Sequence, residues 1–243
     1  AIWKIVSEIS RYAILSHTWI HSIPGEFTYD DWMKEASTLD LSTHPGYQKI
    51  VNFCGVALEK YGLTLGWIDT VCIDKSSSSE LDESIRSMYK WYENSAVCIA
   101  YLAHTSSAQW MSMMDPWFSR GWTLQEFIAP RCLKFHGHKW NQLFKSDKLN
   151  DKADLEVQEK IRQIMKTDMH ELNNPSSVSI WRKMQWAARR HVTREEDIAY
   201  SLMGIFKVNM SIAYGEGAQS AFVRLIKEIL NSSGTDVIEV LNW

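Results

Sequence analysis

Tyr12-Ala13-Ile14-Leu15-Ser16-His17-Thr18-Trp19 begins as a short apolar run and ends on polar residues and an indole. Residues 12–16 are too few for a helix and apolar enough for a strand buried on both faces. Such a strand needs covering helices and parallel neighbours, so the flanking sequence is read for both.

A loop with Pro24, Gly25 and Asp30-Asp31 comes next, with a short helix near Trp32. Tyr47, Ile50, Cys54, Ala57, Leu58 and Tyr61 recur at helical spacing, with Pro45 suited to the first turn and Gly62 to the stop. Residues 66–73 read as a second strand, which Asp74 and Lys75 leave. Leu81, Ile85, Met88 and Tyr92 mark the next helix, for which Ser77 and Glu80 form a capping box. Residues 96–102 and 132–136 read as further strands, separated by a helix over 118–129 that Pro130 stops. Strands alternating with helices predict a parallel sheet with helices on both faces. Beyond residue 145 the pattern is helical. Residues 148–171 are polar and charged, reading as an exposed helix or a mobile insertion. A helix over about 177–190 comes after them. Thr193 and Glu196 form a second capping box before a helix over 197–206, and Ala218, Ala221, Phe222, Leu225, Ile229 and Leu230 mark the last.

The 243 residues carry a formal net charge of -3, with 45% hydrophobic and 23% charged residues. This is the composition of a soluble globular chain, without the basic field that attracts nucleic acid or anionic lipid. Arg182-Lys183 and Arg189-Arg190-His191 read as a solvated helix face. No apolar run is long enough to span a membrane, and no signal peptide opens the chain. Its start at Ala1 suggests a piece excised from a longer protein. Cys54, Cys72, Cys98 and Cys132 are widely spaced, without zinc-ligand spacing, and Cys72, Cys98 and Cys132 sit in apolar runs. Reduced thiols, no metal and a cytoplasmic location are the expectations. Twelve tryptophans exceed routine core filling, so some are expected to line a cleft.

Three segments carry polar residues at strand ends or around tryptophan: Tyr12 to Trp19, Trp67 to Lys75, and Arg120-Gly-Trp-Thr-Leu-Gln-Glu126. Ligands of parallel α/β sheets bind beyond the carboxyl ends of the strands. Ser16, His17, Trp19, Asp69, Asp74, Arg120, Trp122 and Glu126 are therefore expected around one cleft. No Gly-x-Ser-x-Gly elbow surrounds Ser16, and no Walker or Rossmann fingerprint appears; Gly215 and Gly217 are too sparse for a phosphate loop.

In that order, the three segments resemble the blocks of the heterokaryon-incompatibility (HET) domain family of fungi. Glu196 to Phe206 and Tyr214-Gly-Glu-Gly217 resemble the region C-terminal to those blocks in many members, so the likeness runs from Tyr12 to the final helix. Ile20 departs from it, standing where many members have glycine. The resemblance implies a death-inducing effector of self/non-self recognition, with self-association and an upstream nucleotide-binding oligomerisation or receptor module as partners. The family is distantly similar to TIR domains, some of which cleave NAD at the nicotinamide–ribose bond with a glutamate in a Trp-Cys-x-x-Glu helix. Trp122-Thr-Leu-Gln-Glu126 matches with threonine for cysteine, which implies Glu126 as catalytic residue and NAD or NADP as substrate, with no cofactor required. The expected architecture is a TIR-like or flavodoxin-like core over residues 1–145 with an α-helical extension over 146–243 packed on it.

The chemistry fits: N-glycosidic cleavage passes through an oxocarbenium-like state that a carboxylate stabilises. Trp19 or Trp122 could stack on a base, and Arg120 could hold a phosphate. Plainer roles stand beside these. Glu126 reads equally as a structural carboxylate paired with Arg120, Asp69 as a buried hydrogen-bonded group, Asp74 as a helix cap, and His17 as a satisfied strand-end histidine. Two function classes therefore remain: an NAD(P) glycohydrolase active on assembly, and a non-enzymatic module that transmits a death signal by self-association.

Overall fold

The computed structural model of the chain describes residues 8–34, 41–106, 115–144 and 148–233. The expected division near residue 145 lies outside them. Four parallel strands, β1 (Tyr12–His17), β2 (Leu65–Trp67), β3 (Val97–Tyr101) and β4 (Leu133–His136), are ordered β2-β1-β3-β4. The parallel α/β expectation holds.

Strand alternation sorts side chains to two faces. Ala13, Leu15, Val97 and Ile99 pack in one apolar cluster with Ile50, Phe53, Val56 and Ala57 of helix α2 (Pro45–Tyr61). Ile14, Cys98, Ala100, Leu133 and Phe135 face the other way, toward helix α3 (Ser78–Asn94) and helix α4 (Thr123–Ile128). Pro45 opens α2, and Gly62 closes it at φ 63°, a left-handed conformation suited to glycine. A short helix, α1 (Tyr29–Met33), lies near Trp32 as expected; Thr28 and Asp31 cap its start reciprocally.

Several boundaries differ from the sequence reading. β2 stops at Trp67 because Val71 N and Cys72 N both donate back to Ile68 O, curling residues 68–72 into a turn. Ile68 and Ile73 are still buried, in opposite clusters. A turn that crosses the sheet edge thus produces the same apolar run as a strand. Cys72 is exposed rather than core. The buried face of α2 is Gly46, Lys49, Ile50, Phe53, Val56 and Ala57, rotated from the expected one, so that Cys54 and Leu58 are exposed.

The helix expected over 118–129 is interrupted. Residues 116–119 form a 3-10 turn, after which Gly121 N donates to His191 O and His191 N to Ser119 O, and only then does α4 begin. A Cβ on Gly121 would lie 2.5 Å from Val192 Cγ1, so any side chain at this crossing of two chain segments would have to displace Val192.

Residues 148–171 are neither one exposed helix nor a loose insertion. Helices α5 (Leu155–Met165) and α6 (Met169–Asn173) bury Val157, Ile161, Met169 and Leu172. Asp151 is fully buried, pairing with Lys134 Nζ at 2.7 Å and accepting from Phe135 N at 2.8 Å, which closes the outer edge of β4. The Thr193 capping box does not form. Glu196 instead accepts from Gly215 N and Gly217 N, and two short helices, α8 (Asp197–Tyr200) and α9 (Met203–Phe206), come after helix α7 (Ile180–Ala187). Helix α10 (Ala218–Ser233) closes the described chain. One apolar cluster includes α3, α4, three strands and residues of α5 to α10, so the C-terminal helices pack on one sheet face. Among the described residues, no helix is long and apolar enough to cross a membrane.

Candidate functional site

From β1 the chain crosses through α2 to β2 on one side, then through α3 to β3 on the other side of β1. This reversal leaves a crevice beyond the carboxyl ends of β1 and β3, where open α/β sheets bind ligands. A cleft there is lined by His17, Trp19, Asp69, Lys75, Arg120, Trp122 and Glu126, and on its far wall by Arg194, Asp197 and Tyr214.

The last two residues of β1 point to opposite faces. Ser16, completely buried, points toward α4 and donates to Glu126 Oε2 at 2.6 Å. Trp117 Nε1 donates in turn to Ser16 Oγ at 2.7 Å. This gives a directed chain from indole to hydroxyl to carboxylate. Burial pushes the Glu126 carboxyl up to about 8, with Asp69 adding to it, against the Ser16 hydrogen bond, the Arg120 charge and the Tyr92 hydroxyl. Glu126 is only 7% exposed. The Glu126–Arg120 ion pair considered from the sequence does not form; Arg120 lies 5.6 Å from the Trp19 ring centre instead.

His17 points to the α2 face, where Lys49 Nζ lies 2.7 Å from Nδ1 and Asp69 Oδ1 lies 2.9 Å from Nε2. An ammonium can only donate, so Nδ1 accepts and the ring proton sits on Nε2, donated to Asp69; this tautomer is assigned from the bonding. Lys49 also pairs with Glu26, whose carboxylate accepts from Ile20 N at 2.6 Å. Burial pulls the Lys49 ammonium down, and Glu26 opposes it. Trp19 Nε1 donates to Asp69 Oδ2 at 2.9 Å. Burial alone would raise Asp69, but His17, Lys75 and Trp19 together hold it well below the ordinary carboxylate range.

The far wall comes from the C-terminal helices. Asp197 accepts from Trp122 Nε1 at 3.0 Å and from the Tyr214 hydroxyl at 2.8 Å. Thr123, in the position where the TIR pattern has cysteine, is fully buried and donates to Trp117 O and Arg120 O. It fixes the bend that starts α4.

Of the eight residues expected around one cleft, His17, Trp19, Asp69, Arg120, Trp122 and Glu126 line it, and Ser16 lies directly beneath Glu126. Asp74 lies outside: its carboxylate accepts from Ser76 N and Ser76 Oγ in a local turn. Sequence reasoning missed Trp117, Lys49, Glu26, Arg194, Asp197 and Tyr214. Lys49 left a usable signal, since with Phe53 and Val56 it has i, i+4, i+7 spacing on one helix face, and Asp197 and Tyr214 lie within the C-terminal segments that resemble the family. The cysteines are free, and no group of three metal-ligating side chains occurs among the described residues.

Residues 12–115 match the family model described as heterokaryon incompatibility protein (HET). The vegetative incompatibility protein HET-E-1 of Podospora anserina is 37% identical over 239 residues, covering 93% of this chain and 17% of that relative. The chain thus spans only a small part of that relative's length. No solved structure matches it significantly.

Proposed function

Because this chain belongs to the heterokaryon-incompatibility (HET) family, we propose that it is the effector domain of a fungal vegetative-incompatibility protein and triggers cell death by cleaving NAD or NADP at the nicotinamide–ribose bond. The observation that carries this reading is Glu126, bonded to Ser16, which Trp117 holds in turn, at the switch point of a parallel sheet and in a cleft that Trp19 and Trp122 also line. In the reaction the C1′–N bond breaks and its electron pair leaves on neutral nicotinamide. Water then forms the C1′–O bond and releases a proton, giving ADP-ribose from NAD. Glu126 stabilises the positive charge that develops at the ribose.

A carboxyl raised to about 8 is mostly protonated at neutral pH and would not yet supply that charge. A bound pyridinium, or a rearrangement on assembly, would favour the ionised form through its field. The same burial of Glu126 favours the second reading, a signalling module that transmits death by self-association alone. Upstream nucleotide-binding oligomerisation partners and a cytoplasmic location accompany both readings.

The test is nicotinamide release from NAD and NADP by the purified chain at high concentration and after forced oligomerisation. Release by the parent chain and none by a folded Glu126→Gln chain is expected, since the swap keeps shape and hydrogen bonding while removing the charge. A folded Glu126→Gln chain that still kills cells would overturn the enzymatic reading and leave self-association.

A further inference from the structure

Lys75, Arg120 and Arg194 line the cleft together, and among the described residues close pairing with a carboxylate is confined to Lys75, which lies 4.0 Å from Asp69. Lys75 Nζ lies 3.8 Å from the Trp19 ring centre and Arg120 Cζ lies 5.6 Å from the same ring, so two cations share one indole. Arg194 Cζ lies 4.1 Å from the Tyr214 ring centre. Among the described residues, neither guanidinium forms an ion pair. Asp69, 4.0 Å from Lys75, already accepts from His17 and Trp19. Asp197 is taken by Trp122 and Tyr214, and Glu126 by Ser16. Burial pulls the Lys75 ammonium below its ordinary range; Asp69 and Glu26 oppose this, while Arg120 and Arg194 add to it, so the three cations feel one another.

Like charges gathered in a concave, aromatic-walled site raise the local potential and favour an anion of matching charge. Two guanidinium forks and one ammonium suit the oxygens of adjacent phosphates better than a single carboxylate. The ring faces of Trp19 and Tyr214 hold the cations in position by cation–π attraction until the anion arrives. We propose that Lys75, Arg120 and Arg194 form a diphosphate-binding subsite at the cleft mouth, selecting a nucleoside diphosphate or dinucleotide over a bare nucleoside. This subsite supplies the phosphate recognition for the cleavage reading, on which it rests for its biological use but not for its binding test.

The experiment is calorimetric titration of the folded Glu126→Gln chain with inorganic pyrophosphate, ADP-ribose and nicotinamide riboside, at two salt concentrations. Pyrophosphate and ADP-ribose should bind, more weakly at high salt, and nicotinamide riboside should bind far less. Arg120→Gln and Arg194→Gln, added singly, should each weaken ADP-ribose by roughly 5- to 30-fold, the scale of one charge-assisted contact. Lys75→Arg should retain most of the affinity that Lys75→Met loses, separating charge from packing. No binding of pyrophosphate or ADP-ribose at millimolar concentration overturns the subsite. So does ADP-ribose affinity within twofold of the parent in both arginine variants. The two readings fail separately. Diphosphate binding without nicotinamide release by the parent chain removes cleavage and keeps the subsite. Equal cleavage of NAD and nicotinamide riboside removes the subsite and keeps cleavage.

Discussion

Ser16 and His17 are neighbours in sequence, yet strand alternation commits them to different chemistry. One faces Glu126 and the other faces Lys49 and Asp69. The Glu126 side has a consequence for stability. Its carboxyl rises from an ordinary value of 4.5 to about 8 in the folded chain, with burial as the first cause. Between those values the folded state holds a proton that the unfolded state has lost. The stabilisation is therefore complete below the lower value and disappears as pH rises through the upper one. Measured melting temperatures should fall between about pH 5 and about pH 8 in the parent chain more than in Glu126→Gln, which cannot ionise. Parallel pH profiles for the two chains would show that the carboxyl is not held neutral by the fold. The sequence placed Ser16 and Glu126 near one rim because strand polarity and the Trp122–Glu126 spacing are local features. It did not reveal Trp117 as the donor behind Ser16, since the two lie 101 residues apart and meet only through packing.

At the scale of elements, β4 shows how a buried charge can serve an edge. Asp151 is fully buried, pairs with Lys134 and accepts from Phe135 N, a donor on the free side of the outer strand. Asp151→Ala should cost about 3–5 kcal/mol in urea unfolding, because it leaves the Lys134 ammonium buried without its partner. Adding Lys134→Met should recover much of that loss, and a double variant no more stable than the single one would refute the pairing account. The polar run over 148–171 hid this role, since charged residues usually mean a solvated face. β1, β3 and β4 were legible because each is an apolar run between turn or capping signals. β2 was legible only in part: residues 68–73 are as apolar as a strand, but a backbone turn at Ile68 sends Ile68 and Ile73 to opposite clusters. Composition along a line cannot distinguish those two ways of burying the same side chains.

Over the whole molecule, the cleft depends on the C-terminal helices staying against the sheet. Its near wall is built by β1, α3 and α4, and its far wall by Arg194, Asp197 and Tyr214. The two are tied at Trp122–Asp197 and at the close approach of α9 to α3. At that approach Gly204 leaves no room for a side chain: a Cβ would lie 2.3 Å from Tyr89 Cβ and 2.5 Å from Tyr89 Cγ. Tyr89 Cβ is fixed to the α3 backbone, so no rotamer change can relieve the contact. Gly204→Ala must push the two helices apart. Overpacking of this kind costs about 1–3 kcal/mol, against which the better helix propensity of alanine returns less than about 1 kcal/mol. A lower melting temperature is therefore expected. Because α3 also carries Leu81, Ile85 and Met88 into the cleft, the same displacement should weaken ADP-ribose binding although Gly204 does not line the cleft. Trimming the ring in Tyr89→Ala should not restore stability to the Gly204→Ala chain, because the Cβ clash persists. A Gly204→Ala chain with the parent's melting temperature and affinity would show that the sheet and the C-terminal helices can separate freely, and the cleft they share could not then be a preorganised site.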